Sequence, residues 1–229
     1  MSTLNALELG ELYKRFRGIT DKVENGGLDL RFAIEGLRQV FEGRIVLPQK
    51  TQHVPQEVSI RYLRPIPGAD RLKLKATGGT RYVGKEKKVF PGYIDGDFQN
   101  WGLNVTSQAT PEMDVRVEEQ DRDGKFLDIY HSVSLDLNQL CLSQHQIVDF
   151  VVEYESWLRT DGYATFFLFK EKTKEAGEKE PTEKFFVARV RWRGRKLKVF
   201  VYRVSYDCVW GAKYRLRFVL PQLAEPSTA

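Results

Sequence analysis

Apolar residues recur at three- and four-residue spacings in two neighbouring stretches near the start of the chain, residues 4–23 and residues 30–41, which are separated by two consecutive glycines. This spacing gives each stretch one apolar stripe, as in an amphipathic helix. The sequence therefore predicts a helical hairpin over residues 4–42, within an N-terminal segment 1–45. A hairpin of that length buries too little apolar surface to be stable by itself, so we expect its stripe to pack on the rest of the chain or on a protein partner.

Residues 46–56 contain two prolines and no apolar period, which predicts a linker. Beyond it we expect a body over residues 57–223 and a short tail over residues 224–229. Alternating apolar and polar positions bounded by turn residues predict strands in the first part of this body. These strands span residues 58–64, 71–76, 113–119 and 125–131, the last two forming a hairpin around the Asp121–Gly124 turn.

The clearest helix signal lies in the middle of this body. Ser143 stands three residues before Gln146, the spacing of a capping box in which each side chain satisfies an exposed backbone N–H. Apolar residues then recur on one face as far as Leu158, and Gly162 is placed to end the helix. The sequence predicts one long helix over residues 144–159.

Four runs rich in β-branched and aromatic residues follow this helix and predict strands over residues 163–170, 185–192, 197–204 and 214–220. Turn residues between consecutive runs favour antiparallel pairing of neighbours. The segment 170–184 carries ten charged residues and predicts a mobile loop. The predicted fold class is α+β, a mainly antiparallel sheet packed on one face by the long helix, with the N-terminal helical hairpin.

The strand pair around Gly194 and Arg195 can be predicted residue by residue, because glycine suits the positive φ of a two-residue hairpin turn. The resulting register places Val190 opposite Val199 on the core side of the ribbon. The other side then carries five cations and two aromatic residues, namely Arg189, Arg191, Arg193, Lys196, Lys198, Phe200 and Tyr202.

Positive charge is concentrated in the same part of the chain. Residues 184–220 contain eleven Lys or Arg and one acidic residue, Asp207, whereas the net charge of all 229 residues is only +5. This asymmetry predicts a surface for nucleic acid or another polyanion, with phosphates neutralised by the cations and bases stacked on Phe200 and Tyr202. A solvated sheet face, on which long Arg and Lys stems cover apolar neighbours, is the alternative interpretation.

Local catalytic and cofactor motifs are absent from the sequence. It lacks GxSxG, GxxxxGK[ST] and GxGxxG, and its three histidines show no HExxH relation. Asp95 and Asp97 are spaced like the start of a calcium loop, but no terminal Glu follows, so a turn is the better interpretation. We therefore predict no catalytic residue, no metal site and no cofactor. The alternative is an enzyme whose site is assembled from distant residues, to be sought first at Asp95, Asp97, His131 and His145.

The composition, 41% hydrophobic and 29% charged, lies in the globular range. The N-terminus lacks the apolar core of a signal peptide, and no stretch reaches the ~18 apolar residues of a membrane span. Cys141 and Cys208 are too few for a disulfide framework, and we expect both to be free thiols in a reducing compartment. We predict a cytoplasmic protein without membrane contact.

Four segments resemble hypothetical proteins of reduced-genome candidate-phylum bacteria: YIDGDFQNWGL (93–103), LCLSQHQIVDF (140–150), WLRTDGYATFFLF (157–169) and VWGAKYRLRFVLPQL (209–223). Such proteins have no assigned activity or site residue, so this resemblance implies no function. A second resemblance is to the C-type-lectin-like variable proteins of diversity-generating retroelements, with the region of Trp210 and Tyr214 as the counterpart of their ligand-binding segment.

The function that the sequence favours is a non-enzymatic binding protein. Its basic, aromatic sheet face would take nucleic acid or another polyanion, and its N-terminal helical hairpin a protein partner. The lectin resemblance implies the first alternative, a ligand- or protein-binding module. An enzyme with a non-local site is the second alternative.

Overall fold

The structure is a computed structural model, and it describes residues 60–174 and 177–223. Within these ranges the chain forms eight β-strands and three α-helices, joined by loops and short 3-10 turns. The α-helices are α1 (Asp97–Asn100), α2 (Phe126–His131) and α3 (Gln144–Glu153). The strands are β1 (Leu63–Pro65), β2 (Leu72–Leu74), β3 (Tyr93–Ile94), β4 (Met113–Gln120), β5 (Ala164–Thr173), β6 (Thr182–Arg193), β7 (Lys196–Arg203) and β8 (Arg217–Pro221).

The strands form one mixed sheet in the order β1, β4, β8, β5, β6, β7, β3, with β2 also paired to β4. β5, β6 and β7 make an antiparallel meander, as predicted. β8 does not continue this meander, because it lies between β4 and β5, antiparallel to the first and parallel to the second. The predicted antiparallel pairing of β8 with β7 is therefore wrong. β3 pairs with the outer edge of β7 instead, and the apolar run of β8 fills the centre of the sheet.

Helices pack on both faces of the sheet. α3 packs Phe150 against Phe167 on one face, and α2 packs Phe126 against Phe166 on the other. β5, near the centre, is buried on both faces from Ala164 to Phe169, which explains why this run is apolar except for Thr165 and does not alternate. The prediction that a helix covers one face of the sheet therefore accounts for α3 but not for α2, which covers the other face.

α3 begins as predicted. The Ser143 hydroxyl accepts the backbone N–H of Gln146 at 3.2 Å, and the Gln146 side chain accepts that of Ser143 at 2.9 Å, which confirms the capping box. The helix ends at Glu153, however, and residues Glu155–Trp157 form a separate 3-10 turn. The prediction of one long helix over residues 144–159 is therefore wrong.

Tyr154 marks the point where α3 ends. Its hydroxyl donates to the backbone carbonyl of Lys73 at 2.8 Å and accepts the backbone N–H of the same residue at 3.0 Å. The 3-10 turn that follows still packs Trp157 and Leu158 on the core beside α3. The apolar spacing of residues 144–159 is therefore compatible with α3 followed by a 3-10 turn as well as with one continuous helix.

Residues 125–131, predicted as a strand, form α2 instead, so the predicted hairpin with residues 113–119 is wrong. Its start is stabilised by Asp128, whose carboxylate accepts the backbone N–H of Lys125 at 3.2 Å. Burial of a helical face decides the conformation of this short run, because the buried residues have helical spacing: Phe126, Ile129 and Tyr130. The predicted strand 113–119 is confirmed as β4, and residues 71–76 contain the shorter strand β2. The predicted strand 58–64 overlaps β1 only at Leu63 and Arg64.

Several predictions fall on residues that the structure does not describe. They are the helical hairpin over residues 4–42, the linker 46–56 and the tail 224–229. Among the described residues, no helix combines the length and the apolar character that crossing a bilayer requires.

Candidate functional site

The β6–β7 hairpin turns at Gly194 and Arg195, and its register confirms the prediction. Both turn residues have positive φ, 60° and 61° respectively, as in the type I′ turn that suits a two-residue hairpin. Arg193 pairs with Lys196, and the predicted pairing continues along both strands. The register fixes which side chains share a face of the sheet.

One face of this hairpin is apolar and the other carries the cations. Val190 and Val199 belong to the core on which α3 packs. Because side chains alternate along a strand, the other face carries all seven predicted residues, of which Arg193 and Lys196 are exposed and the others half-buried. We call six of them the hairpin face: Arg189, Arg191, Arg193, Lys196, Lys198 and Phe200.

Phe200 lies against two guanidinium groups. The Cζ atom of Arg191 is 5.2 Å from the ring centroid, and that of Arg189 is 5.9 Å away, both within cation–π range. Tyr93 on β3 places its ring centroid 5.2 Å from that of Phe200. A base predicted to stack on Phe200 would therefore compete with contacts that the ring already makes.

Tyr202 and Trp210 lie in an aromatic cluster beneath α2. The Trp210 ring centroid is 5.0 Å from that of Phe126 and 5.8 Å from that of Tyr202. The Tyr202 hydroxyl accepts a hydrogen bond from Nη1 of Arg189 at 3.2 Å. Tyr202 therefore holds Arg189 from the side of the core, and Trp210, in the region that the lectin resemblance singles out, packs its ring against that core.

The cations of the hairpin face have no acidic counterpart among residues 60–174 and 177–223. No carboxylate oxygen of these ranges lies within 4.0 Å of the charged nitrogens of the five side chains. Elsewhere, Lys73 and Lys75 pair with Glu112 and Glu153 at 2.9 and 3.1 Å. The hairpin face thus gathers five cations without an acidic partner on one side of a single strand pair.

Within the hairpin face, Arg191 lies in an environment that disfavours its charge. Burial, together with repulsion from Arg189 and Arg193, lowers the pKa of its guanidinium group. The Nε atoms of Arg189 and Arg191 are buried without a hydrogen-bond partner in the described part of the chain. An anion bound over these two side chains would offset the repulsion between them.

A cleft of about 570 Å³ opens beside the hairpin turn. Its walls are the loop Thr160–Gly162, which precedes β5, and the hairpin residues Arg191–Arg195. Three arginines of the hairpin line it, so its chemistry is cationic. The cleft extends the hairpin face past the end of the sheet.

The four positions of the alternative enzyme site are not brought together. Asp95 precedes α1 and Asp97 is its first residue, and the Asp95 carboxylate accepts the backbone N–H of Asp97 at 3.2 Å. His131 ends α2, and His145 lies on α3 with its Nε2 3.5 Å from Asp149. Within the described ranges, no hydrogen bond or ion pair joins these aspartates to these histidines, and no group of three or more acidic, His or Cys side chains is placed to hold a metal ion.

Sequence analysis missed Tyr93 as part of this surface. β3 has only two residues and pairs in parallel with β7, which aligns Tyr93 with Lys198. The approach requires a glycine before it, because a Cβ on Gly92 would lie 2.8 Å from the carbonyl oxygen of Leu197. A two-residue strand carries no periodic signal, so only this glycine hints at the contact.

A comparison of the chain with protein-family models, with curated proteins and with solved structures gives no match. The fold defines an α+β protein with a mixed sheet and helices on both faces. Its function is therefore argued from the hairpin face and its surroundings alone.

Proposed function

We propose that this protein binds single-stranded nucleic acid on the hairpin face. The observation that carries the proposal is the set of five cations that lack an acidic partner in the described part of the chain. Three of them are arginines, whose planar guanidinium groups match the oxygens of a phosphate better than an ammonium group does. Phosphate contacts of this kind supply most of the affinity for nucleic acid that does not depend on its sequence.

The order of the cations supports a single strand over a duplex. Arg189, Arg191 and Arg193 occupy alternate positions of β6, about 6.8 Å apart, and on β7 Lys198 and Lys196 lie opposite the last two. A flexible strand can follow such a row with successive phosphates. A stiff duplex meets a sheet surface at fewer points, because its backbone curves away from it.

The aromatic residues support the cations from below. Phe200 lies against the guanidinium groups of Arg189 and Arg191, and the Tyr202 hydroxyl fixes one of them by a hydrogen bond. Side chains held in this way lose less conformational entropy when a phosphate binds. We infer that Phe200 orients the guanidinium groups.

The experiment measures the affinity for a labelled oligothymidylate of about 20 nucleotides, longer than the ~4–16 that one such surface covers, between about 50 and 200 mM salt. The double variant Arg191→Gln/Lys198→Gln removes two phosphate contacts. Its slope of log affinity against log salt should be smaller than that of the wild type by about 1.4, since each contact to a single strand contributes about 0.7.

The matched control is the double variant Lys73→Gln/Lys75→Gln, which removes the same charge from two lysines that already have acidic partners. It should keep the wild-type slope to within about 0.3. Wild-type protein that shows no salt-dependent binding near 100 mM salt would refute the proposal. An equal loss of slope in the control would show that binding depends on the net charge of the protein and not on the hairpin face.

A further inference from the structure

Two tyrosines near the hairpin face are exposed and contact each other. The residues Tyr163 and Tyr214 are 39% and 38% exposed, and their ring centroids lie 5.2 Å apart. Most large aromatic rings of the described residues contribute to the two cores instead. An exposed pair of rings is a surface on which a flat apolar group can stack.

The parallel pairing of β5 and β8 creates this pair. Parallel strands begin at the same end of a sheet, and Thr165 of β5 is aligned with Arg217 of β8. Tyr163 precedes β5 and Tyr214 precedes β8, so both tyrosines lie at that end of the sheet. The pair exists only in the folded chain.

Local contacts hold each tyrosine in place. The Asp161 carboxylate accepts the backbone N–H of Tyr163 at 3.4 Å. Tyr214 ends a 3-10 turn that begins at Ala212, whose backbone N–H donates to the Asp123 carboxylate at 2.7 Å. The two rings are therefore presented by ordered backbone.

Cations lie beside both rings. Arg159 already pairs with the carboxylates of Asp161 and Glu119, so Lys213 and Arg215 are the cations that could contact a phosphate. The Arg159 guanidinium lies 5.5 Å from the Tyr163 centroid, and the Lys213 ammonium lies 5.0 Å from that of Tyr214. Lys213 is exposed and has no carboxylate partner among residues 60–174 and 177–223. Arg215, 62% exposed, has only a distant contact to Glu119, at 3.8 Å. Rings with cations beside them are the combination that binds a base and its phosphate.

The loop Thr160–Gly162 connects this pair with the hairpin face. It forms one wall of the cationic cleft, and Tyr163 follows directly after it. A strand that leaves the hairpin face through the cleft would pass the loop that leads into Tyr163. No other exposed aromatic pair among the described residues adjoins the cleft.

We propose that Tyr163 and Tyr214 stack a nucleobase of the same strand whose phosphates lie on the hairpin face. This inference rests on the proposed function and adds to it the origin of single-strand selectivity. The hairpin face neutralises phosphates, and the tyrosines take a base that is free only in a single strand, since the bases of a duplex are stacked on each other.

The test separates stacking from charge. Tyr163→Ala and Tyr214→Ala should each weaken the binding of oligothymidylate by about 5- to 150-fold, with an unchanged salt slope. Binding to a duplex of the same length should not change. The corresponding changes to Phe keep the ring and should retain single-strand affinity to within about 2-fold.

Tyr206→Ala is the matched control. Tyr206 is 47% exposed and contacts another tyrosine, Tyr202, at 5.0 Å. The cleft that it lines contains three aspartates, Asp95, Asp97 and Asp207, against one cation, Arg203, so its net charge disfavours a phosphate. The Tyr206→Ala variant should bind oligothymidylate like the wild type. Equal losses in Tyr206→Ala and Tyr214→Ala would overturn the inference, as would no loss in the tyrosine variants of the pair.

The outcomes distinguish the two proposals. If the hairpin cations control the salt slope but Tyr163→Ala and Tyr214→Ala bind normally, the stacking inference fails and the proposed function stands. If the wild type binds no oligonucleotide, both fail. Should Tyr163→Ala not fold, photocrosslinking of iodouracil-substituted oligonucleotide to the wild type gives the answer: adducts on Tyr163 or Tyr214 support the inference, and adducts confined to other peptides refute it.

Discussion

The carboxylate of Asp95 accepts the backbone N–H of Val201 at 3.4 Å, while its own backbone N–H donates to the carbonyl of Val199 at 3.0 Å. β3 ends at Ile94, so Asp95 continues the pairing of β7 by one backbone and one side-chain hydrogen bond. Unpaired strand edges invite association with other chains. Asp95 thus closes part of the edge that a two-residue strand leaves open.

We expect Asp95→Ala to lower the free energy of unfolding by about 1–3 kcal/mol, because the backbone N–H groups of Val201 and Asp97 both lose their acceptor. Light scattering should also show more self-association as the edge of β7 opens. Asp95→Asn keeps an acceptor oxygen and should lose less stability. Wild-type stability in the Ala variant would contradict this role.

Gly92 and Gly96 provide a matched pair for the docking of β3. A Cβ on Gly92 would lie 2.8 Å from the Leu197 carbonyl oxygen, whereas one on Gly96 would meet nothing closer than 3.9 Å. Gly92→Ala should therefore destabilise the protein by about 1–3 kcal/mol in urea denaturation. Gly96→Ala should be neutral or stabilising by up to about 1 kcal/mol, since its backbone conformation suits alanine. The opposite ranking of the two variants would contradict the close approach.

Arg195 has φ of 61°, a left-handed conformation that favours glycine. We expect Arg195→Gly to raise the free energy of unfolding by about 1 kcal/mol, because the left-handed region costs most residues about that much. Arg195→Lys keeps both the charge and the conformation and should not change stability. If Arg195→Gly also weakens oligonucleotide binding, the strained residue is retained for its charge in the cleft.

Cys141 should react slowly with thiol reagents, and the reaction should accelerate with pH. Burial raises the pKa of its thiol to about 12, so at pH 8 only about one molecule in 10⁴ carries the thiolate. Cys141 lines a cleft of about 370 Å³ through which a small reagent can approach, so the pKa should control the rate. In a Cys208→Ser background, we expect the rate of labelling to rise about tenfold per pH unit between pH 8 and 10. A rate that levels off near pH 9 would contradict the raised pKa.

Local signals in the sequence were sufficient for the hairpin and for the start of α3. The β6–β7 register follows from one glycine and the alternation of apolar residues, and the capping box follows from Ser143 and Gln146. Both features depend on residues a few positions apart. The cations of the hairpin face could therefore be placed before the structure was known.

Features that depend on distant partners could not be placed. The apolar spacing of residues 125–131 fits a strand or a helix, and packing on β5 decides between them. The position of β8 depends on which edges of β4 and β5 remain open. The contact between Tyr163 and Tyr214 follows from that position, so no local pattern indicates it.

The insertion of β8 between β4 and β5 has a consequence for how the chain folds. Among the described residues, β4 with its partners and the β5–β6–β7 meander join into one sheet only through Arg217–Pro221. During synthesis, the ribosome releases both parts before it releases the strand that joins them. Pairings between segments so distant in sequence form slowly, and the unjoined edges of β4 and β5 are exposed meanwhile. The nascent chain is therefore most vulnerable to aggregation just before β8 emerges, and this is the interval in which a chaperone would raise its yield most.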